Sequence, residues 1–208
     1  MADTTPTTTG RAAITTDTDY IKSGNNADFV RLIKEAAIFR YETTDTIASL
    51  GTNWKPDSGK KPFGYFSEDG IVLHPESGDS DDFKGHNGDV VVSMASGGYW
   101  TAQFSALEAK KDVVETYFDA KVASDGSVTV SGTDVSGYAQ YVIVGMTQSG
   151  NVILLHVPKA QISERDDITW TVSDLLQFNM TLRMYKGPET APYMFKAWGL
   201  AEDIAVSA

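Results

Sequence analysis

The chain has no cysteine among its 208 residues. That absence removes disulfides, thiolate metal sites and cysteine nucleophiles together, and it permits synthesis in a reducing compartment. Basic residues are also short: 17 Lys and Arg stand against 28 Asp and Glu, for a formal charge of −11. Proteins that grip nucleic acid concentrate Lys and Arg on one face, so any dealing with DNA has to be one of non-adhesion. Long apolar runs are missing as well. The opening MADTTPTTTGRAAITTDTDY has neither a basic start nor an apolar stretch, and no later run has the length that crosses a bilayer. The expectation is a chain made soluble in a cytoplasm, with no membrane partner. Motifs for chemistry are absent too: there is no G-x-S-x-G elbow, P-loop or dinucleotide fingerprint. His74, His86 and His156 are scattered without ligand spacing, and GDSDD lacks the spaced ligands of a calcium loop. No catalytic residue, metal or cofactor is expected, and the chain reads as a non-enzyme.

What is present points to β-structure. Gly, Ser, Thr and Asp are plentiful, a mix that suits many short strands joined by tight turns. Residues 1–26 are threonine-rich, with Pro6 and Gly10 and no hydrophobic period, and read as an N-terminal arm. ADFVRLIKEAAIFRYE reads as a short helical turn leading into a strand at about 37–42. WKPDSGKKPFGYFSEDG, with two prolines and three glycines, cannot be a buried strand and reads as a long loop over 52–70. Its four aromatics need something to bury against. GIVLH is then a short strand, PESGDSDDFKGHNGD a polar turn-rich stretch, and VVVSMA and YWTAQFS two further strands, the second with Trp100, Ala102 and Phe104 on one face. A helix is expected over 105–119, with Ser105 and Glu108 at capping-box spacing and an apolar stripe of Leu107, Val113, Val114, Tyr117 and Phe118.

The second half reads as antiparallel strands. Asp125-Gly126 suits a tight hairpin turn. YAQYVIVGMTQSGNVILLHVPKA reads as two long strands hinged at Ser149-Gly150 and stopped by Pro158. DITWTVSDLLQFNMTLRMY supplies two more, Phe178, Met180, Leu182 and Met184 alternating against Asn179, Thr181, Arg183 and Tyr185. The tail over 187–208 carries Tyr193, Phe195 and Trp198 and reads as a C-terminal arm that needs a docking surface. The fold expected is mainly β: one domain over 27–186, a β-sandwich or half-barrel of two packed antiparallel sheets with one flanking helix, between two extended arms.

The order of features in FGYFSEDGIVLHPESGDSDDFKGHNGD and YWTAQFSALEAKKDVVETYFDAKV resembles the major tail protein, or tail tube protein, of long-tailed, non-contractile bacteriophages. In that family a tryptophan precedes an lGyvSeDG-like turn and strand, followed by an acidic stretch, a t-x-x-f strand and an amphipathic helix ending in aromatics. Here these are Trp54, Gly64 to Gly70, Thr101 to Phe104 and Leu107 to Phe118, and the resemblance covers most of residues 36–185. KPDSGKKPF, between Trp54 and Gly64, makes a longer loop than the pattern has.

The resemblance implies two packed sheets with a flanking helix, assembling as hexameric rings that stack into a tube through which double-stranded DNA passes. It also implies that the long loop and the arms reach into neighbouring subunits. On that basis Trp54, Lys60, Lys61, Phe63, Tyr65 and Phe66 of the loop and Tyr193, Phe195 and Trp198 of the tail are the expected inter-subunit residues, aromatics being favoured at interfaces. The implied partners are other copies of the chain, a tape measure protein, a tail terminator and distal tail or baseplate proteins. The implied location is the virion tail, assembled in the host cytoplasm. Ring formation multiplies the charge of −11 per subunit, and acids facing the lumen repel phosphates. Two other readings stay open: a carbohydrate-binding, adhesin-like β-sandwich whose loop aromatics stack on sugars, and the tube protein of a contractile injection system.

Overall fold

The computed structural model describes residues 27–95, 97–133 and 137–201. The arm expected over 1–26 and the last residues of the expected C-terminal arm, 202–208, lie outside them. The chain divides into two units, 1–31 and 32–208. The described part of the first contains a 3-10 turn, Ala27–Phe29, where the sequence suggests a short helical turn. Everything below concerns the second unit.

That unit is mainly β, as expected: a curled antiparallel half-barrel, a second small sheet and one helix. The strands are β1 (Ile33–Glu42), β2 (Phe66–Glu76), β3 (Ser80–Lys84), β4 (Val90–Ala95), β5 (Tyr99–Ala106), β6 (Ala139–Thr147), β7 (Val152–Arg165), β8 (Phe178–Met184) and β9 (Lys196–Trp198), and the helix is α1 (Lys111–Phe118). The main sheet runs β1-β6-β7-β8-β5-β2, with β9 added on β7, while among the described residues β3 and β4 pair only with each other.

The curl turns on β7. Along Val152–Ala160 it pairs with β6, and along Ala160–Arg165 it pairs with β8. Pro158, expected to stop this strand, lies inside it. A proline cannot donate to a ladder, and Pro158 sits where none is needed: at the irregularity in the β6 pairing between the Tyr141–Val157 and Ala139–Ala160 pairs, and between the β9 and β8 segments on the other edge.

The main core fills the concave side. Ile38, Tyr141, Leu155, Phe104, Met180 and Leu182 point into it from the strands, with Val113 and Tyr117 from α1. The alternation expected for β8 is present: Phe178, Met180, Leu182 and Met184 are buried and the residues between them half-exposed. A second cluster, of Phe39, Tyr41, Trp54, Val142 and Leu154, covers the other face of β1, β6 and β7, with Trp198 of β9 packed against it.

Three further expectations are corrected. The helix begins at Lys111 rather than 105, because Ser105 and Ala106 are held in the sheet opposite Asn179 and Phe178 of β8. The capping box therefore does not form; Lys110 is the N-cap, without a side-chain cap hydrogen bond. PESGDSDDFKGHNGD is not all turn: Ser80–Lys84 is a strand paired with Val90–Ala95. DITWTVS is not a strand but a loop between β7 and β8.

α1 is tied down by Glu115. Its buried carboxylate accepts the Val122 amide at 2.9 Å and Lys121 Nζ at 3.2 Å, with Lys111 Nζ at 3.8 Å. Burial works to raise its pKa, but these partners outweigh it and hold the carboxyl below the usual range. Glu115→Ala orphans the Val122 amide, so we expect a loss of about 2 kcal/mol, read as a lower urea midpoint at unchanged slope.

Candidate functional site

The loop before β2 divides its aromatics. Trp54 is buried, edge-on to Phe39 with ring centroids 5.3 Å apart. Phe63 is fully buried, its centroid 5.9 Å from that of Phe104 and 6.4 Å from that of Tyr141, and its amide donates to the Ile38 carbonyl at 2.9 Å. Phe66 is partly buried, edge-on to Phe104 at 5.7 Å. Lys60 Nζ stands 4.5 Å above the Tyr41 ring, while Lys61 is exposed. Most of the loop's apolar surface is thus covered by the subunit's own sheet.

Tyr65 is the exception, 77% exposed. Its backbone is nevertheless fixed on both sides: the amide donates to Glu108 Oε1 at 2.9 Å and the carbonyl accepts the Leu107 amide at 2.9 Å. Gly64 makes this approach feasible, since its φ is +107° and a Cβ there would collide with the Glu108 carboxylate. The loop therefore presents one ring to solvent on a pinned backbone.

The tail residues dock on the same subunit. Lys196–Trp198 pairs with Leu154–His156, Phe195 lies edge-on to Trp100 at 5.2 Å, and Tyr193 Oη is 3.0 Å from His156 Nδ1. Gln140 Nε2 reaches the carbonyls of Glu42, Thr43 and Asp45 at 2.9–3.2 Å, which turns its Oε1 toward His156 Nε2 at 3.3 Å. His156 Nε2–H therefore donates to Gln140, and Nδ1 accepts from Tyr193. Burial pushes the His156 pKa down to about 4.

The two halves of the sheet are covered differently. β1, β6 and β7 have packed apolar side chains on both faces. On β5 and β8 the face away from the core carries Thr101, Gln103 and Ser105 opposite Arg183, Thr181 and Asn179, with β2 placing Val72 beside Gln103 and His74 beside Thr101. A cavity of about 400 Å³ opens on this face, lined in part by Asp69, Glu164 and Asp166. The Arg183 guanidinium lies 3.7 Å from the Tyr99 ring centroid, and Glu76 is 3.7 Å from His74. Two strand edges bound this half. Among the described residues, β2 has no strand beyond it, and past Ala160 the side of β7 that faced β6 has no strand partner.

Two exposed apolar features escaped the sequence reading. One is the β3–β4 hairpin, with Phe83, Val90, Val91, Val92 and Met94 all exposed. The other is the loop between β7 and β8, with Trp170 88% exposed and Val172, Leu175 and Leu176 also exposed. The signal for the first was Val90 to Val92: three consecutive valines cannot all face one core, because successive side chains in a strand alternate.

Among the described residues, no group of three or more His, Asp or Glu stands close enough to hold a metal ion, and no helix is long and apolar enough to cross a membrane. No curated protein matches the chain. Solved structures that match include a chain from the sheath-tube complex of an extracellular contractile injection system, PVC, in its extended state. The identity is 11%, covering 81% of this chain and 93% of that one, with a TM-score of 0.40. Another is the cap that terminates the tube of the anti-feeding prophage, at 12% identity, 78% and 86% coverage and a TM-score of 0.37. The family model described as phage tail tube protein matches residues 37–204, nearly the whole of the β-structured unit. The chain belongs to the phage tail tube protein family.

Proposed function

We propose that this subunit closes with five copies of itself into a ring, that rings stack into the tube of a non-contractile phage tail, and that the polar face of β2, β5, β8 and the end of β7 lines the lumen. The observation that carries this reading is the uneven covering of the sheet: one half is packed on both faces, and the other is packed on one face and bounded by two strand edges that have no strand partner among the described residues. Those edges fit each other in direction. Each neighbouring pair from β2 through β5 and β8 to β7 is antiparallel, so β7 runs opposite to β2. In a ring, the β7 edge of one copy meets the β2 edge of the next as an antiparallel pair, and closure removes edges that otherwise pair indiscriminately.

The charge supports a conduit. Asp69, Glu76, Glu164 and Asp166 stand on or around the open face, against the Arg183 guanidinium held beside the Tyr99 ring. Repeated around a ring, these carboxylates repel phosphate, and DNA slides without sticking. The role is mechanical rather than enzymatic: delivery of the genome from the virion, with tape measure, terminator and distal tail proteins as the other components.

Lateral contact falls to the outward side chains of the loop. Tyr65 is the anchor, since its pinned backbone leaves little freedom to lose on binding, and the exposed Lys61 of the same loop gives charge steering toward an acidic neighbour. Negative-stain microscopy across a concentration series tests the reading. Wild type is expected to form rings or hollow tubes. Tyr65→Ala is expected to raise the concentration needed by about 30-fold, as for a central aromatic contributing about 2 kcal/mol, without moving the thermal midpoint of the subunit. A wild type that stays monomeric when concentrated with tail initiator sinks the tube reading, and glycan binding becomes the next assay.

A further inference from the structure

The β3–β4 hairpin and the loop between β7 and β8 lie at opposite ends of one strand. The hairpin joins Glu76 of β2 to Tyr99 of β5, and these two residues are themselves paired. At the far end of β5, Ala106 pairs with Phe178 of β8, the residue at which the β7–β8 loop ends. β5 has eight residues, so the two features leave the sheet about 23 Å apart and on opposite rims.

Both features expose apolar side chains that one subunit leaves uncovered. On the hairpin, Phe83 lies opposite Val92, and Met94 follows two residues on, so these three share a face. All three are exposed, with Val91 exposed on the other side. A two-stranded hairpin is marginal in water without a surface to pack on, and among the described residues β3 and β4 pair only with each other. On the loop, the tip around Trp170, from Thr169 to Ser173, carries no charge and includes the fully exposed Val172.

We propose that the hairpin of one copy docks on the Trp170 loop of a copy in the next ring, and that this is the axial contact of the tube. It deepens the proposed function and rests on it. The occupant is a second copy because the two surfaces are different, both apolar and on opposite rims. Such a heterologous pair leaves a free hairpin at one end of a stack and a free loop at the other, so it extends without closing. It also gives the stack a polarity, every ring facing the same way.

The absence of native cysteine makes the test direct. Val91→Cys and Val172→Cys place one thiol on each surface while keeping Phe83, Val92, Met94 and Trp170. Circular dichroism confirms that each variant folds, and assembled protein is treated with a short bismaleimide and resolved on a denaturing gel. The double variant is expected to give a ladder of dimers, trimers and longer chains, whereas each single variant gives monomer. Trp170→Asp is expected to leave rings that do not stack. Tubes that form with no ladder, or Trp170→Asp tubes of normal length, overturn this contact and leave the tube reading standing. If wild type forms neither rings nor tubes, both fail together.

Discussion

Replacing Phe63 with alanine will lower the stability of the isolated subunit by about 3–5 kcal/mol, the cost of removing a fully buried phenylalanine from a packed core. The ring has no exposed surface and sits between Phe104 of β5 and Tyr141 of β6, so it bridges strands that are not neighbours in the sheet. Its loss leaves a void between the two sides of the half-barrel and loosens the loop whose amide at this position closes on Ile38. For a domain of this size each kcal/mol moves the thermal midpoint by roughly 2–4 °C, so a fall of about 10 °C is expected by calorimetry. Tyr65→Ala, two residues on, is the control, expected to change the subunit's stability by less than about 0.5 kcal/mol because the ring is exposed. If Phe63→Ala leaves the monomer stable and weakens only assembly, the ring is at an interface and its placement in the core is wrong.

The contrast between these positions shows what was legible in the sequence. Strand periodicity was: Phe178 to Met184 alternate in and out as their residue types suggest, and Trp100, Ala102 and Phe104 share the core side. The antiparallel, mainly β class and the single helix follow from such local signals. The start of the helix was not legible, because Ser105 and Glu108 satisfy the local rule for a cap while β8 claims Ser105 and Ala106 for the sheet. Glu108 then takes a partner 43 residues away, the Tyr65 amide, which local spacing does not encode. Pro158 misled for a related reason: a proline ends a strand that needs its amide, and only the handover of β7 between partners removes that need. The aromatic loop was legible as a loop, and its want of a burial partner was clear, but whether each ring faces its own sheet or another copy depends on a fold that brings Trp54 to Phe39 and Phe63 to Phe104. The open polar face was half visible in Asn179, Thr181 and Arg183, which alternate against the apolar residues of β8. Its meaning needed the strand order, which alone reveals that the other half of the sheet is covered twice.

Acid will destabilise this fold through His156. The folded value of about 4 lies below the ordinary 6.5, because the ring is buried and its charged form loses hydration. Between those values the unfolded chain binds a proton that the folded chain refuses, so acid favours unfolding. The contribution is fully present above pH 6.5, declines as pH falls, and is gone below about pH 4. At about 1.4 kcal/mol per pH unit the window amounts to about 3 kcal/mol. Carboxylates titrate across part of the same range, and protonating them also relieves repulsion in a chain of formal charge −11, so the wild-type profile alone is a mixture. His156→Gln separates the terms. Its amide can donate to Gln140 Oε1 and accept from Tyr193, as the neutral imidazole does, but it does not titrate. Urea unfolding at pH 7, 5.5 and 4.5 is expected to show the stability gap between the two proteins shifting in favour of the variant by about 2–3 kcal/mol toward the acid end. Parallel profiles would remove His156 as the cause. Tyr193→Phe extends the test to the tail: it takes away the hydroxyl that Nδ1 accepts from and leaves the titration in place. Its acid sensitivity should follow wild type, with a constant offset of about 1 kcal/mol for the lost hydrogen bond.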